Sequence, residues 1–593
     1  MDQREAAVSD PRRLDPEDGA RLLRRAMAAT ALVVLCAMAA KIFIWPPDDP
    51  DSIWITWYFF TQQDAPILVL AAVALVILPF APKLPLPLFP KPGRRLLLVA
   101  LLAAAVCVCG ALGRTYIFEE FDLSRDEFLA VFDAKIFSTG RLFASLPEEW
   151  RPFADALQPQ YMAPLKGGAQ VVSFYLPINA IARALFGAAA NPALLNPLLA
   201  AGAVLALYGL ARDLWPARPD AALVAVTLLA TSSQLLFMSM TSYAMTAHLF
   251  LNLLWLRSFL RGGPWGHGCA LALGFLACGL HQFVFHPLFA APFIARLWRP
   301  GDRRLCVSYV AAYGAMILFW GSYLRLALLW DGAGSPLGEG AADVGASDLT
   351  TRILEYLDRF EPAASMPFFL NLLRLVAWQS LLLAPLCIPA WGTIRQDEGL
   401  ASQLAAGIAL TLLAMFVLSP FQGHGWGYRY LHGLLGSFCL LGGYGWIRAT
   451  PGPQGMMAGP AVGVFAWASL FAVLIALPLH VRQARALVTP SLAVDRAIAS
   501  ADVDIVLVDD DGVQQGHDFV RNDPFLRNRP LALYVWFLGP GQLEGLCARY
   551  RLALFGREHI ARFGLFATPE PMTTRSRLLR ERLERLKCAP VLK

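Results

Sequence analysis

The chain has 593 residues, 57% of them hydrophobic and only 16% charged, with a formal charge of +6 and a mean hydropathy of +0.50. Apolar runs of roughly 20 residues, the length that crosses a bilayer core, recur along most of it, so an α-helical polytopic membrane protein is expected. Most of the ten cysteines fall inside apolar runs, as Cys36, Cys107, Cys109, Cys278 and Cys439 do, which excludes a disulfide framework; the positive charge suits basic cytoplasmic loops and does not call for nucleic acid.

Residues 1–25 are polar and read as a cytoplasmic tail, and the apolar run from Ala26 is long enough to stay as a helix rather than serve as a cleaved signal. About thirteen spans are expected, at 26–45, 65–82, 96–113, 193–211, 220–238, 244–260, 266–281, 283–298, 305–329, 368–392, 401–419, 431–447 and 457–480. Arg24 and Arg25, then Lys83, Lys91, Arg94 and Arg95, and later Arg296, Arg299, Arg303 and Arg304 assign their loops to the inside. Residues 48–64 and 113–192 then lie outside, as does the C-terminus. The stretch Gln170 to Gly187 is apolar enough to span, but counting it would move Arg212, Arg218, Arg257 and Arg261 outside. It is therefore read as a half-embedded element broken near Pro177 and Asn179, the alternative being a true span with some arginines outside.

Within the large outer loop, 114–192, Phe128, Leu129, Phe132 and Ile136 repeat at helical spacing from Asp126 until Gly140 ends the helix. Asp126 and Asp133, seven residues apart, lie along one edge of the apolar face, so the helix is expected to rest on the membrane surface with a carboxylate at the boundary between water and lipid. A carboxylate there has the chemistry of a general base; equally, these acids could be only the solvated face and N-terminal charge of an interfacial helix.

The run Ser124-Arg125-Asp126-Glu127-Phe128-Leu129, followed by Ala134-Lys135-Ile136-Phe137-Ser138-Thr139-Gly140-Arg141-Leu142, resembles the first outer-loop signature of the GT-C glycosyltransferases, especially the protein O-mannosyltransferase and lipid A aminoarabinose transferase branch. The resemblance covers roughly 96–450. It implies that Asp126 is the catalytic base, that the donor is a sugar on a polyprenyl phosphate, that transfer to a hydroxyl acceptor inverts the anomeric centre, and that the loop holds juxtamembrane helices; Glu127 is the second catalytic candidate, expected to tune the site. A second segment, Gly423-His424-Gly425-Trp426-Gly427-Tyr428-Arg429-Tyr430-Leu431, is similar to a glycine-rich Gly-x-Arg-Tyr segment of the family. Glycines let a phosphate approach the backbone and an arginine fork grips two phosphate oxygens, so Arg429, with Tyr428 and His424, is a candidate site for the lipid phosphate. The competing reading is an arginine anchored at the interface among aromatic rings.

His281 and His286 flank an outward turn and are candidates, with Lys166, to stabilise the departing phosphate, although a structural histidine explains either one as well. The stretch Met238 to His248 lacks the second acid that some members carry, which counts against a two-acid metal site; His248 is expected to face a neighbouring helix. No cofactor is certain, and a divalent metal stays open. Two extra spans precede the catalytic loop, capped by the aromatic stretch Asp51 to Gln63.

Residues 330–367 are expected to form an outer covering loop with a short helix at 351–360. Residues 481–593 form a small α/β domain with strands at 503–508, 531–537 and 551–555 and helices at 542–549 and 575–587. Asp509-Asp510-Asp511-Gly512 reads as an acidic turn, with a cation or sugar site as the alternative, and Cys547 and Cys588 could pair if this part is exported. The expected protein is a multi-pass enzyme of a bacterial inner membrane, N-terminus cytoplasmic and C-terminal domain periplasmic, acting on a glycan, lipid or protein. A transporter or lipid-linked-sugar flippase is the alternative, and a noncatalytic envelope assembly protein a third. Sugar, acceptor, metal dependence and oligomeric state stay open.

Overall fold

The structure, a computed structural model, describes residues 16–44, 54–82, 92–165, 168–298, 302–330, 366–396, 399–418, 421–451, 460–566 and 571–592. Each of the thirteen positions expected to span is helical there, but in different ways. Seven helices among the described residues are long and apolar enough to cross a membrane: Glu17–Ile44, Ile55–Phe80, Gly93–Tyr116, Pro192–Leu214, Arg303–Gly321, Leu400–Leu418 and Pro460–Ala499. Four shorter helices, Met245–Arg261, Gly263–Cys278, Phe285–Arg296 and Leu435–Ala449, have 17, 16, 12 and 15 residues.

The remaining two positions are broken, contrary to the straight spans expected at 220–238 and 368–392. Pro219–Ala230 and Ser233–Ser239 meet at 55°, because the Ser232 hydroxyl accepts from Leu235 N–H and starts a new helix. Met366–Ala377 likewise stops before Leu383–Gln396. The two breaks satisfy one another: Gln234 N–H donates to the Trp378 carbonyl at 3.0 Å, and the Gln379 side chain exchanges hydrogen bonds with Ser232 and Gln234. Freed backbone groups at membrane depth persist only where protein covers them, and here each break covers the other.

The last span does not end near 480. Its helix continues to Ala499, 40 residues in all with a π segment at Ala472–Ala476, about 60 Å at 1.5 Å per residue. That is roughly twice a bilayer core, so Val494 and Ile498 reach the core of the C-terminal unit. No linker therefore separates the two at 481, and the helix that starts at Pro16 likewise runs through the boundary drawn at residue 25.

Strands β1 (Ala144–Ser145), β2 (Met162–Leu165) and β3 (Gln170–Ser173) form an antiparallel sheet in the order β1-β3-β2. The apolar stretch 170–187 thus opens with a four-residue strand, followed after residue 177 by the ten-residue helix Ile178–Gly187, and is not a broken helix throughout. β4 (Ile505–Val508), β5 (Leu531–Tyr534) and β6 (Leu552–Phe555) form a parallel sheet in the order β5-β4-β6, and β4 and β6 are buried along their whole length. Helices Pro540–Arg549 and Thr574–Leu586 pack beside it, and a disulfide joins Cys547 to Cys588 with Cα atoms 5.7 Å apart.

The outer-loop helix, Arg125–Phe137, does not lay its apolar face on lipid. Leu129, Phe132 and Ile136 share one core with Trp150, Leu157, Ile505, Leu507, Leu531 and Leu533. The interfacial face expected from the sequence is covered by the parallel sheet, so loop and C-terminal unit fold around common apolar surface. Lys166 and residues 331–365 lie outside the described residues.

Candidate active site

The acid-rich turn after the Gly93–Tyr116 span is held from the membrane side. Arg114 donates to the Asp122 carboxylate at 2.9 Å, to the Glu120 carboxylate at 3.2 Å and to the Glu120 carbonyl at 2.7 Å, while Ser242 Oγ donates to Asp122 at 2.7 Å. The next helix is then started by a capping box. Ser124 Oγ accepts from Glu127 N–H at 3.3 Å, and Glu127 Oε2 accepts from Ser124 N–H and Oγ at 3.1 and 3.0 Å. Glu127 is 1% exposed, and burial followed by repulsion from Asp122 pushes its carboxyl up to about 7, against Ser124 and Arg114. Its hydrogen bonds fix where the helix begins.

That start sets the direction of Asp126. Its Oδ1 accepts from the Tyr175 hydroxyl and its Oδ2 from Nη1 of Arg429, 303 residues away in sequence. Burial alone would raise the Asp126 carboxyl; Arg429, His281 and the two hydrogen bonds outweigh it and hold the group below its ordinary range. The Arg429 guanidinium carbon lies 5.2 Å from the ring centroids of both Tyr243 and Tyr430. Tyr175 in turn stacks on His281 at 4.7 Å. The two motifs that stood far apart in sequence therefore meet in one ion pair.

Asp133 ties the same helix to β3 by accepting from Ser173 N–H at 3.1 Å and from Ser173 Oγ. Burial, opposed by these bonds, pushes its carboxyl from 3.8 up to about 7. Between those two values the folded chain holds a proton that the unfolded chain has lost, so stability falls as pH rises through that window, by an amount on the order of a few kcal/mol. Asn at 133 can accept from Ser173 N–H without ionising. Thermal melts of Asp133→Asn are expected to match the parent near pH 4 and to lie above it near pH 8, both approximate settings on either side of the window; equal melts at both would contradict this.

The Arg429 loop is held by its own Gln422 and by side chains from two helices. Gln422 Oε1 accepts from Arg429 N–H at 2.9 Å and its Nε2 donates to the Gly427 carbonyl at 3.0 Å. Gln234, from the bent helix pair, accepts from Tyr428 N–H at 3.2 Å and donates to its carbonyl at 2.9 Å. Gly427 has φ +71°, and a Cβ there would meet Gln234 Oε1 at 2.4 Å. This glycine makes room for a glutamine of the protein, where the sequence suggested room for a phosphate. Arg374 donates to the Gly425 and Gly427 carbonyls at 2.7 and 3.3 Å, to Gln63 at 2.9 Å and to both Asp64 oxygens at 2.9 and 3.0 Å; Trp378 Nε1 also donates to Asp64, at 2.9 Å.

The other expected site residues divide. His281 sits beside Tyr175 in the cluster. The His424 carbonyl accepts from the Tyr243 hydroxyl at 3.2 Å, and its ring meets Phe59 edge-on at 5.9 Å. Tyr428 is fully buried, and its hydroxyl has no hydrogen-bond partner among the described residues. His286 is a satisfied core histidine, Nδ1 on Asn252 at 2.7 Å and Nε2 on Tyr313 at 2.8 Å, and stands apart from Asp126 and Arg429 in these contacts. His248 faces Phe285 on a neighbouring helix, as expected. Tyr175, Gln234, Asp64 and Arg374 were not anticipated. Only Arg374 carried a signal, an arginine in the middle of an apolar run.

A cavity of about 220 Å³ opens between Thr30, Leu68, Leu75, Gln379, Ala384 and Phe471, and neither Asp126 nor Arg429 lines it. Among the described residues no group of three or more His, Cys, Asp and Glu side chains is arranged to hold a metal.

No family model and no curated protein matches the chain. The chain is similar to the solved structure of ArnT from Cupriavidus metallidurans bound to undecaprenyl phosphate, at 12% identity and a TM-score of 0.47 over 72% of this chain and 85% of that one. The apo state of ArnT from the same organism is 10% identical, with a TM-score of 0.47 over 78% and 94% of the two chains.

Proposed function

We propose that the chain is an integral-membrane inverting glycosyltransferase that moves a sugar from a polyprenyl-phosphate donor to a hydroxyl acceptor at the outer face of a bacterial inner membrane. The observation that carries this reading is the Asp126–Arg429 pair, because each belongs to a segment that resembles a different part of the GT-C pattern. In the mechanism, the acceptor oxygen attacks the anomeric carbon, the bond from that carbon to the phosphate oxygen breaks, and the hydroxyl proton passes to Asp126. The polyprenyl phosphate leaves with its new charge on Arg429, aided by His281 and by Lys166. Donor phosphate must compete with Asp126 for Arg429, so binding frees the carboxylate that the reaction needs. Glu127 acts by fixing the helix start.

The Cys547–Cys588 disulfide supports an exported C-terminal unit, since disulfides persist in oxidising compartments. A transporter that used Asp64 and Arg374 to carry charge would need them free to move, whereas Asp64 accepts from Arg374 and Trp378 and Arg374 also donates to Gln63 and two loop carbonyls. The test is the mass of envelope glycans with and without the gene. Deletion is expected to remove one sugar mass from one glycan class, restored by the parent chain; an unchanged glycan inventory would overturn the proposal.

A further inference from the structure

We infer that Asp518 of the C-terminal unit belongs to the same site and recognises a glycan acceptor, by taking a hydrogen bond from a hydroxyl next to the one that attacks. The inference rests on the glycosyltransferase reading and adds its acceptor class.

The segment 516–521 keeps Phe519 and Val520 in the core of the C-terminal unit and docks on the start of the Arg125–Phe137 helix. Arg125 Nη1 donates to the Val520 carbonyl at 2.6 Å while its Nη2 reaches Gln158 at 3.1 Å. Arg521 Nη2 donates to the Leu123 carbonyl at 3.0 Å, and its guanidinium lies 4.2 Å from the Phe121 ring and 5.5 Å from Phe128. These contacts set the segment against the residues on both sides of Ser124.

Asp518 is 8% exposed, and neither of its oxygens accepts a hydrogen bond among the described residues. Its one ion-pair contact there is His517 Nε2 at 3.7 Å, too long for a hydrogen bond. A carboxylate so buried normally has a donor, and one without it is costly unless something else supplies the proton. Its charge acts on Arg125, Tyr161 and His424. Asp126 also acts on Tyr161 and His424. Both residues flank the central ion pair: the Tyr161 ring is 5.9 Å from Tyr175, which bonds Asp126, and the His424 carbonyl takes the Tyr243 hydroxyl beneath Arg429.

A buried acceptor-only group lacking a donor, beside a site for hydroxyl attack, fits a polyhydroxyl ligand. The ligand is the acceptor because the segment comes from the extramembrane unit, whereas a lipid-linked donor arrives from the bilayer.

The experiment adds purified full-length parent, Asp518→Asn or Asp518→Glu to vesicles made from envelopes of the deletion strain, which supply native donor, and measures sugar transfer. With donor-loaded vesicles kept saturating and acceptor glycan extracted from the deletion strain titrated in, Asp518→Asn is expected to raise the apparent KM for acceptor at least about tenfold with a smaller change in kcat, the loss typical of a hydrogen bond to a charged group, with partial rescue by Asp518→Glu and an unchanged melting temperature. Parental kinetics in Asp518→Asn would overturn the inference and leave the enzyme reading intact. A loss that follows melting temperature equally in both variants would also overturn it, making Asp518 a counter-ion of Arg125. If the parent itself transfers no sugar, the glycosyltransferase reading fails first.

Discussion

Asp126→Asn is expected to lower kcat for sugar transfer by about 10²- to 10⁴-fold, the range that a positioned general base contributes. The substitution is conservative in shape: an amide oxygen can still accept from Arg429 or Tyr175, but it cannot take the acceptor proton. Arg429→Gln removes a different part of the same unit and should leave a second mark. Asp126 lies below its ordinary range because Arg429, His281 and its hydrogen bonds outweigh burial. Without the guanidinium, burial has less to oppose it and the carboxyl rises. The parent then keeps its base ionised into acid conditions, whereas the acid limb of the Arg429→Gln rate profile moves to higher pH. In proteoliposomes kcat decides the first point, and profiles of kcat/KM against pH, which report the free enzyme where Arg429 still pairs with Asp126, decide the second. Full transfer by Asp126→Asn would remove it as the base, and an unmoved acid limb would uncouple the pair. The double variant should be little worse than the weaker single one, because residues acting as a unit do not add.

The start of the Arg125–Phe137 helix was legible because its causes are local. Ser124 and Glu127 stand three apart, and Leu129, Phe132 and Ile136 keep helical spacing, so neither needs the rest of the chain. What that apolar face meets was not legible, since Ile505 and Leu531 lie hundreds of residues away. The same holds for Tyr175 and Gln234, whose sequence surroundings give no hint that they bond Asp126 and the Tyr428 backbone. Hydropathy also averages over breaks: Thr231-Ser232 and Trp378 to Leu382 are short interruptions in apolar runs, and only the mutual bonding of the two segments marks them as breaks. At 170–173 an apolar run had no periodicity to separate strand from helix, and the pairing with Ala144 and Met162 to Leu165 decided it. Beyond residue 480 the chain turns amphipathic without a helix stop, so the loss of hydropathy marked the membrane boundary and not the helix end.

Arg374→Met is expected to cost about 3–5 kcal/mol, because it leaves Asp64 buried without its cation. Asp64→Asn has the same sign for the opposite reason, leaving Arg374 buried with a neutral neighbour; Arg374 and Asp64 are both 2% exposed. The double variant Asp64→Leu, Arg374→Met removes both charges and replaces them with apolar side chains, so a large part of the melting temperature lost in either single variant should return. Activity should not return with it. Arg374 is also the donor for the Gly425 and Gly427 carbonyls, and no leucine or methionine can take over those two bonds. The loop that carries Arg429 would then keep only Gln422, Gln234 and the Tyr243 hydroxyl among the side chains described above, and a displacement of about 1 Å at the reacting groups is enough to cost roughly 10²-fold in rate. Melting curves in detergent and transfer rates in the same preparation separate the two effects. A double variant that recovers both stability and rate would mean that the buried pair only fills the membrane core; recovery of stability alone assigns it to positioning Arg429.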